Sequence, residues 1–103
     1  MTNLATNDFL NCDADIARAA ELLKVMSHPI RLKIICQLGH DEKTVQQLIN
    51  SVGTTQSNVS QHLSVMREKG VVEFRKIATR AFYKVSEESA INLVKLLKTL
   101  YVK

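Results

Sequence analysis

Residues that interrupt helices are rare in this chain, and their positions divide it into short segments. Among its 103 residues there are one proline and three glycines. Pro29, Gly39, Gly53 and Gly70 separate segments in which apolar residues recur every three or four positions. Because this spacing places apolar side chains on one side of a helix, it predicts several short amphipathic helices. The length suits one domain with a modest core and is too short for two.

The segments predict a mainly α fold with a small β-hairpin. The predicted helices span about 13–26, 28–38, 45–52, 56–69 and 87–101, and the predicted strands span 71–76 and 81–85. Residues 40–43 and 77–80 are predicted loops, residues 1–12 a flexible N-terminal arm, and 13–103 the folded domain. The predicted N-caps are Asp13, Ser27, Thr44, Thr55 and Ser86, and Thr44 with Gln47 fits a capping box.

The third and fourth predicted helices, 45–52 and 56–69, are joined by Gly53-Thr54-Thr55. Two short helices joined in this way predict a helix-turn-helix, in which the second helix enters the major groove of DNA. Its outward side chains can form hydrogen bonds with base edges. They are Gln56, Ser57, Asn58, Ser60, Gln61, His62 and Ser64.

One alternative remains for this helix as a whole, and another for His62. An ordinary surface helix is one, although such helices usually carry Glu and Lys pairs, and no acidic residue occurs from Gln56 to Arg67. For His62, inward packing competes equally with DNA contact.

The excess of positive over negative charge in the chain falls in one segment. The formal net charge is +4, and residues 67–84 hold six basic and two acidic residues. A basic hairpin after a helix-turn-helix predicts a winged helix, whose wing contacts the DNA backbone. The predicted DNA-contacting residues therefore also include Thr44, Arg67, Arg75, Lys76 and Arg80.

Other functional classes are less favoured by the sequence. No apolar run is long enough to cross a membrane, and the first residues do not resemble a secretory signal, so we expect a cytoplasmic protein. A module that binds other proteins is one alternative. A thiol enzyme is another, but Ile34, Ile35 and Leu38 around Cys36 predict a buried thiol and argue against catalysis.

Three segments resemble ArsR-type winged-helix repressors over roughly residues 15–101. They are 22–34 (LLKVMSHPIRLKI), 56–63 (QSNVSQHL), and Met66-Arg67 followed by Gly70-Val71-Val72. The resemblance implies a homodimeric repressor that leaves its operator, a double-stranded DNA site, when a ligand binds or a thiol is modified. It also implies that Gln56, Ser57, Ser60 and Gln61 contact bases or phosphates.

The family resemblance further implies that the first and last helices form the dimer interface. Residues 91–101 agree independently, because their apolar side chains cover more than one side of a helix. A wide face against the chain's own core is the alternative. The predicted interface residues are Ile16, Ala20, Leu93, Leu96, Leu97, Leu100 and Tyr101.

The resemblance also bears on what the protein senses. Many relatives bind metals through cysteines on the third helix or through His and Asp on the last. Neither pattern occurs in this sequence, so we predict neither metal nor cofactor.

Cys36 matches a position that one branch of the family uses to sense oxidants and reactive sulfur. The second cysteine of that branch is replaced at residues 100–102 by Leu-Tyr-Val. Cys12 could take its place. We therefore predict a small oxidant or sulfane-sulfur inducer that acts on Cys12 and Cys36. The alternatives are a buried Cys36 with an incidental Cys12, and a regulator without a thiol switch.

Overall fold

A computed structural model describes residues 8–103 of the chain. The predicted flexible arm, 1–12, therefore lies largely outside the described residues. The five helices are α1 (Asp13–Met26), α2 (Pro29–Leu38), α3 (Val45–Val52), α4 (Gln56–Glu68) and α5 (Glu88–Tyr101). The strands are β1 (Lys43–Thr44), β2 (Val72–Ile77) and β3 (Arg80–Val85). The prediction of a mainly α winged helix-turn-helix is confirmed.

One core joins all the helices to the base of the wing. Its fully buried side chains come chiefly from α2, α3 and α4, and burial of each contributes about 1.5–3 kcal/mol. They include Ile34, Ile35, Leu38, Leu48, Val59, Leu63, Met66 and Val72. Val59, Leu63 and Met66 of α4 are among them, and they determine which side of this helix faces solvent.

The two N-caps of the helix-turn-helix are confirmed. Thr44 Oγ1 accepts a hydrogen bond from the Gln47 amide at 3.2 Å, and Gln47 Oε1 accepts one from the Thr44 amide at 2.8 Å. Thr55 Oγ1 accepts from the Asn58 amide at 3.1 Å. These side chains satisfy backbone donors that the first turn of a helix leaves unpaired. Each cap involves neighbouring residues, which is why the local sequence predicted it.

The other three predicted caps are wrong. Cys12 is the N-cap of α1, without a side-chain bond, and Asp13 is already helical. Ser27 donates to the Lys24 carbonyl at 2.8 Å, and the α2 cap is His28, whose Nδ1 accepts from the Ile30 amide at 3.1 Å. The hydroxyl of Ser27 is therefore engaged in ending α1.

The final helix also begins later than predicted, at Glu88 instead of residue 87, and its N-cap Glu87 makes no side-chain bond. Ser86, the predicted cap, donates its hydroxyl to the Gly70 carbonyl at 2.9 Å. The backbone amides of Ser86 and Glu87 both donate to the Val71 carbonyl. These contacts tie the end of the hairpin to the end of the helix-turn-helix.

The sheet differs from the predicted hairpin in two respects. Lys43 and Thr44 form an extra strand, with Lys43 paired to Tyr83 and Thr44 to Phe82, so residue 43 does not belong to a loop. In the wing, Ile77 pairs with Arg80, so the loop has two residues instead of four. Ala78 in this loop has a φ of 57°. Two-residue hairpin loops favour such positive φ values and usually place Gly or Asn there, so alanine did not signal the turn.

Candidate nucleic-acid interface

One side of α4 presents uncharged polar groups to solvent. Since Val59, Leu63 and Met66 are buried, the opposite side is exposed and carries residues that we call the outer face. Within residues 8–103, no side chain of this face has a hydrogen-bond partner or ion-pair partner, so their donors and acceptors are free to bond to another molecule. The outer face consists of Gln56, Ser57, Ser60, Gln61 and Ser64.

Two side chains predicted to face outward are engaged inside the domain instead. Asn58 is half-buried, and its Nδ2 donates to Thr54 Oγ1 at 2.9 Å. His62 is half-buried on the side of α4 that faces α2. The structure therefore favours the inward alternative for His62, and Asn58 stabilises the turn between α3 and α4.

His62 belongs to a cluster that connects three helices. Its Nδ1 accepts a hydrogen bond from Arg31 Nε at 3.1 Å, and its ring lies 4.2 Å from the ring of His28, measured between centroids. Arg31 Nη1 also donates to the Val25 carbonyl at 3.3 Å. Partial burial, and then the proximity of His28 and Arg31, lower the pKa of His62. The neutral ring therefore predominates where it supports α4 from behind.

The basic residues of the wing are not equivalent. Arg75 forms a two-point contact with Glu42, at 2.8 Å for both Nε to Oε2 and Nη2 to Oε1. The hydrogen bond from Arg75 lowers the pKa of Glu42, and the same bond raises the pKa of Arg75. In contrast, Lys76 and Arg80 are exposed and have no ion-pair partner in the described part of the chain.

Arg67 and Thr44 lie at the two edges of this surface. The Arg67 guanidinium stacks over the Phe74 ring at 4.3 Å from its centroid, which holds the charge between α4 and the wing. Thr44 and Arg80 line one shallow groove of about 450 Å³ between the start of α3 and the wing loop. The structure thus brings together the wing and the helix-turn-helix, as the sequence predicted.

Arg31 and Glu42 were missed by sequence reasoning. Their partners lie 31 and 33 positions away along the chain, respectively. No local spacing signals a contact over such a separation.

The two cysteines are exposed, free thiols, Cys12 at the start of α1 and Cys36 in α2. The sequence predicted a buried Cys36, and this is wrong: the side chain is exposed and lines a groove between α2 and α5. Partial desolvation by this groove raises the pKa of the Cys36 thiol. Cys12 is also exposed, at the start of α1.

The ends of α5 show how the cysteines are separated. Leu10 and Asp15, on either side of Cys12, share a pocket with Glu87 and Ser89, where α5 begins. Cys36 shares its groove with Lys98 and Tyr101, where α5 ends. A helix of 14 residues is about 21 Å long, whereas a disulfide needs Cα atoms within roughly 7 Å. A Cys12–Cys36 bridge within one chain therefore requires that the start of α1 approach the groove between α2 and α5, which no residue of α1 lines.

Apolar side chains remain exposed on α1 and α5. Ile16 is 44% exposed, Leu96 52% and Leu100 57%, and Ala20 is also exposed. Leu93 is half-buried beside them. Leu97 and Tyr101, which were predicted in the same set, line the groove next to Cys36 instead. The α5 members of the set predicted as a dimer interface thus lie on two different sides of that helix.

Within residues 8–103, no group of three or more His, Cys, Asp or Glu side chains could hold a metal ion. No helix in that same range is long and apolar enough to cross a membrane.

The fold and this surface define a winged helix-turn-helix protein. A model of the bacterial regulatory proteins of the arsR family matches residues 28–73. The biofilm growth-associated repressor of Xylella fastidiosa is 42% identical over 82 residues, which cover 80% of this chain and 72% of that protein. The regulator YgaV of Escherichia coli is 36% identical over 102 residues, which cover 98% of this chain and 98% of that protein.

Solved structures agree with these matches. The repressor BigR of Xylella fastidiosa gives a TM-score of 0.84 at 37% identity, covering 88% of this chain and 93% of that one. HlyU of Vibrio cholerae gives 0.82 at 36% identity, covering 89% of this chain and all of that one. The chain therefore belongs to the ArsR family of bacterial transcriptional regulators.

The His62 cluster predicts a pH dependence of stability. Because its pKa in the folded chain lies below the ordinary value of 6.5, the unfolded chain binds a proton more readily. The stabilisation is complete above that ordinary value and is lost as pH falls through the folded-state pKa. Urea unfolding at about pH 7.5 and about pH 5.5 should show a larger loss of unfolding free energy for the unmodified protein than for His62→Gln.

His40→Gln is the matched control, because His40 is exposed in a loop. This variant should keep the pH dependence of the unmodified protein. An equal loss of stability in the His62→Gln variant would contradict the role of the cluster.

Proposed function

We propose that this chain is a transcriptional repressor that binds a palindromic DNA operator as a homodimer in the cytoplasm. The outer face of α4 carries this proposal, since it presents polar side chains without partners among residues 8–103 on a helix-turn-helix. Relatives that support it include the transcriptional repressor PagR of Bacillus anthracis, 39% identical over 82 residues. HlyU of Vibrio cholerae is named an activator, so repression in particular is part of the proposal.

Base reading and backbone binding are assigned to different residues. Gln56, Ser57, Ser60 and Gln61 on the outer face read base edges by hydrogen bonding. Lys76 and Arg80 bind phosphates through charge, which strengthens binding to any DNA sequence and weakens with salt. Thr44 and Arg67 lie beside these two groups and contact the backbone. Asn58 and His62 support the reading helix from within.

Arg75 should contribute less to phosphate binding than the other basic residues of the wing. Its guanidinium is held by the Glu42 carboxylate. A phosphate that approaches the wing must compete with this carboxylate, because both ligands use the same donors. Arg75 therefore contributes less to DNA affinity than Arg80.

Exposed apolar residues on α1 and α5 support the homodimer. Ile16 and Ala20 on α1 and Leu93, Leu96 and Leu100 on α5 offer apolar side chains that a second copy of the chain would cover. Among the similar structures is a homodimeric winged helix-turn-helix DNA-binding domain from Mycobacterium bovis, with a TM-score of 0.73 at 25% identity. Two reading helices related by a two-fold axis would address half-sites about 34 Å apart.

The proposal includes a thiol switch at Cys36. In its favour, Cys36 is exposed, and one similar structure is described as reduced HlyU of Vibrio cholerae, at 36% identity and a TM-score of 0.81. Oxidants or sulfane sulfur would modify Cys36, or link it to Cys12 after a rearrangement, and would weaken DNA binding. The raised pKa of Cys36 favours the alternative, a regulator without this switch, since less thiolate is present at neutral pH.

Substitutions in the two groups of DNA-contacting residues should have different effects. Gln56→Ala should lower affinity for a duplex selected from a random pool by about tenfold and leave affinity for random DNA unchanged. Arg80→Ala should weaken binding to both and reduce the salt slope by about one. Fluorescence anisotropy titrations at several salt concentrations would measure both effects.

Gln37→Ala and Arg18→Ala are the matched controls, since both side chains are exposed and neither belongs to the outer face of α4 or to the wing strands. Neither should change affinity or salt slope. A uniform loss on both duplexes for Gln56→Ala would show that the outer face does not read sequence.

A charge placed among the exposed apolar residues of α5 should dissociate the dimer. Leu96→Asp places a carboxylate in the proposed apolar interface, where its desolvation is costly. Sedimentation analysis should then show monomers at concentrations where the unmodified protein is dimeric. Ile77→Asp on the wing is the matched control and should remain dimeric. Ile77 is 49% exposed and Leu96 is 52% exposed, so both substitutions change a similarly exposed side chain. Dimers of the Leu96→Asp variant would place the interface elsewhere.

The thiol switch is tested by oxidising the unmodified protein, Cys12→Ser and Cys36→Ser. Mild oxidation should lower operator affinity of the unmodified protein by about tenfold or more, within the usual range of coupling between sites. Mass spectrometry without reductant reveals whether the cysteines are linked or separately modified. The Cys36→Ser variant should retain its affinity; equal sensitivity of that variant would exclude Cys36 as the sensor.

A further inference from the structure

The groove beside Cys36 is large and mostly apolar. It has a volume of about 740 Å³ between α2 and α5, which lies within the range of pockets that hold small molecules. Its walls include Leu32 and Cys36 from α2 and Ile91, Val94 and Leu97 from α5. An apolar groove of this size in a small domain needs an occupant or a partner to exclude water.

On α5, the groove and the proposed dimer interface lie on different sides of the helix. Lys98 lines the groove. Leu96 lies two positions before it in α5, and Leu100 lies two positions after it. At roughly 100° per residue, a step of two positions leads to the opposite side of a helix. A second copy seated on Leu96 and Leu100 therefore leaves the groove open to another molecule.

Charge at the rim identifies the kind of molecule that fits. Lys95 and Lys98 line the groove, no Asp or Glu does so, and neither lysine makes an ion pair within residues 8–103. Unpaired ammonium groups beside an apolar wall are complementary to a ligand with an apolar body and an anionic head.

We propose that this groove binds an amphipathic organic anion of the medium-chain carboxylate class. The hydrocarbon lies against Leu32, Val94 and Leu97, and the carboxylate bonds to Lys95 and Lys98. Cys36 forms part of the wall without reacting, so this site does not depend on the thiol switch or on DNA binding. A thiol that stays protonated suits this role, and partial desolvation raises the pKa of Cys36.

Alkylation of Cys36 reports on occupancy of the groove. In the full chain carrying Cys12→Ser, Cys36 is the remaining thiol, and its reaction with iodoacetamide is followed by mass spectrometry. Decanoate below its micelle concentration should slow the reaction severalfold and saturably. Decyltrimethylammonium, with the same chain and the opposite charge, should not.

Removal of the lysines tests the charge contacts. Lys95→Ala with Lys98→Ala should raise the decanoate concentration for half-protection by about tenfold, the scale expected for two exposed ion pairs. Both side chains are exposed, so the fold should persist, which circular dichroism would check. Arg18→Ala with Lys24→Ala removes the same charge from α1, outside the groove, and should leave protection unchanged.

Three results would overturn the proposal. The first is absence of protection by decanoate. The second is equal protection by the cationic amphiphile or in the Lys95→Ala/Lys98→Ala variant, which would indicate unspecific hydrophobic adsorption. The third concerns the protein without ligand: slow alkylation of Cys36 that becomes faster when the protein is diluted. This result would show that a second copy of the chain covers the groove.

Discussion

The packing of three residues of α4 determines most of what this surface can do. Val59, Leu63 and Met66 are fully buried, and together their burial is worth several kcal/mol. Rotation of α4 about its axis would expose them, so the side of the helix that faces solvent is fixed by the core. The polar outer face is a direct consequence. His62 lies at the border of the buried side, where Arg31 can bond to it from α2.

The electrostatic layout follows from the same framework. The excess charge of the sequence lies in residues 67–84, and the structure divides those charges further. Arg67 rests on Phe74 and Arg75 is held by Glu42, whereas Lys76 and Arg80 extend from the wing without partners among the described residues. The neutral face that can discriminate bases is thereby separate from the few cations that remain free to bind phosphate.

Local sequence predicted the features that depend on neighbouring residues. The capping box at Thr44, the cap at Thr55 and the inward side of α4 follow from spacings of three or four positions. Features that depend on distant residues were missed: the strand at Lys43 pairs with Tyr83, and Arg31 reaches His62. The predicted burial of Cys36 failed because helical spacing gives an apolar face and does not show where a neighbouring helix leaves a groove.

The last helix contributes two apolar surfaces, which explains why its sequence is apolar on more than one side. One surface, with Leu96 and Leu100, suits a second copy of the chain. The other closes one side of the groove that contains Cys36. The sequence interpretation had assigned both to a single interface, because periodicity alone does not separate two adjacent apolar faces.

The central claim is that a dimer reads DNA sequence through the outer face of α4. Selection of binding sites from a pool of random duplexes tests it directly, because the selection itself yields the operator sequence. The account predicts enrichment of an inverted repeat whose half-sites lie about one helical turn apart, roughly 10 base pairs between centres. Recovery of duplexes that share no motif, despite salt-dependent binding, would contradict it.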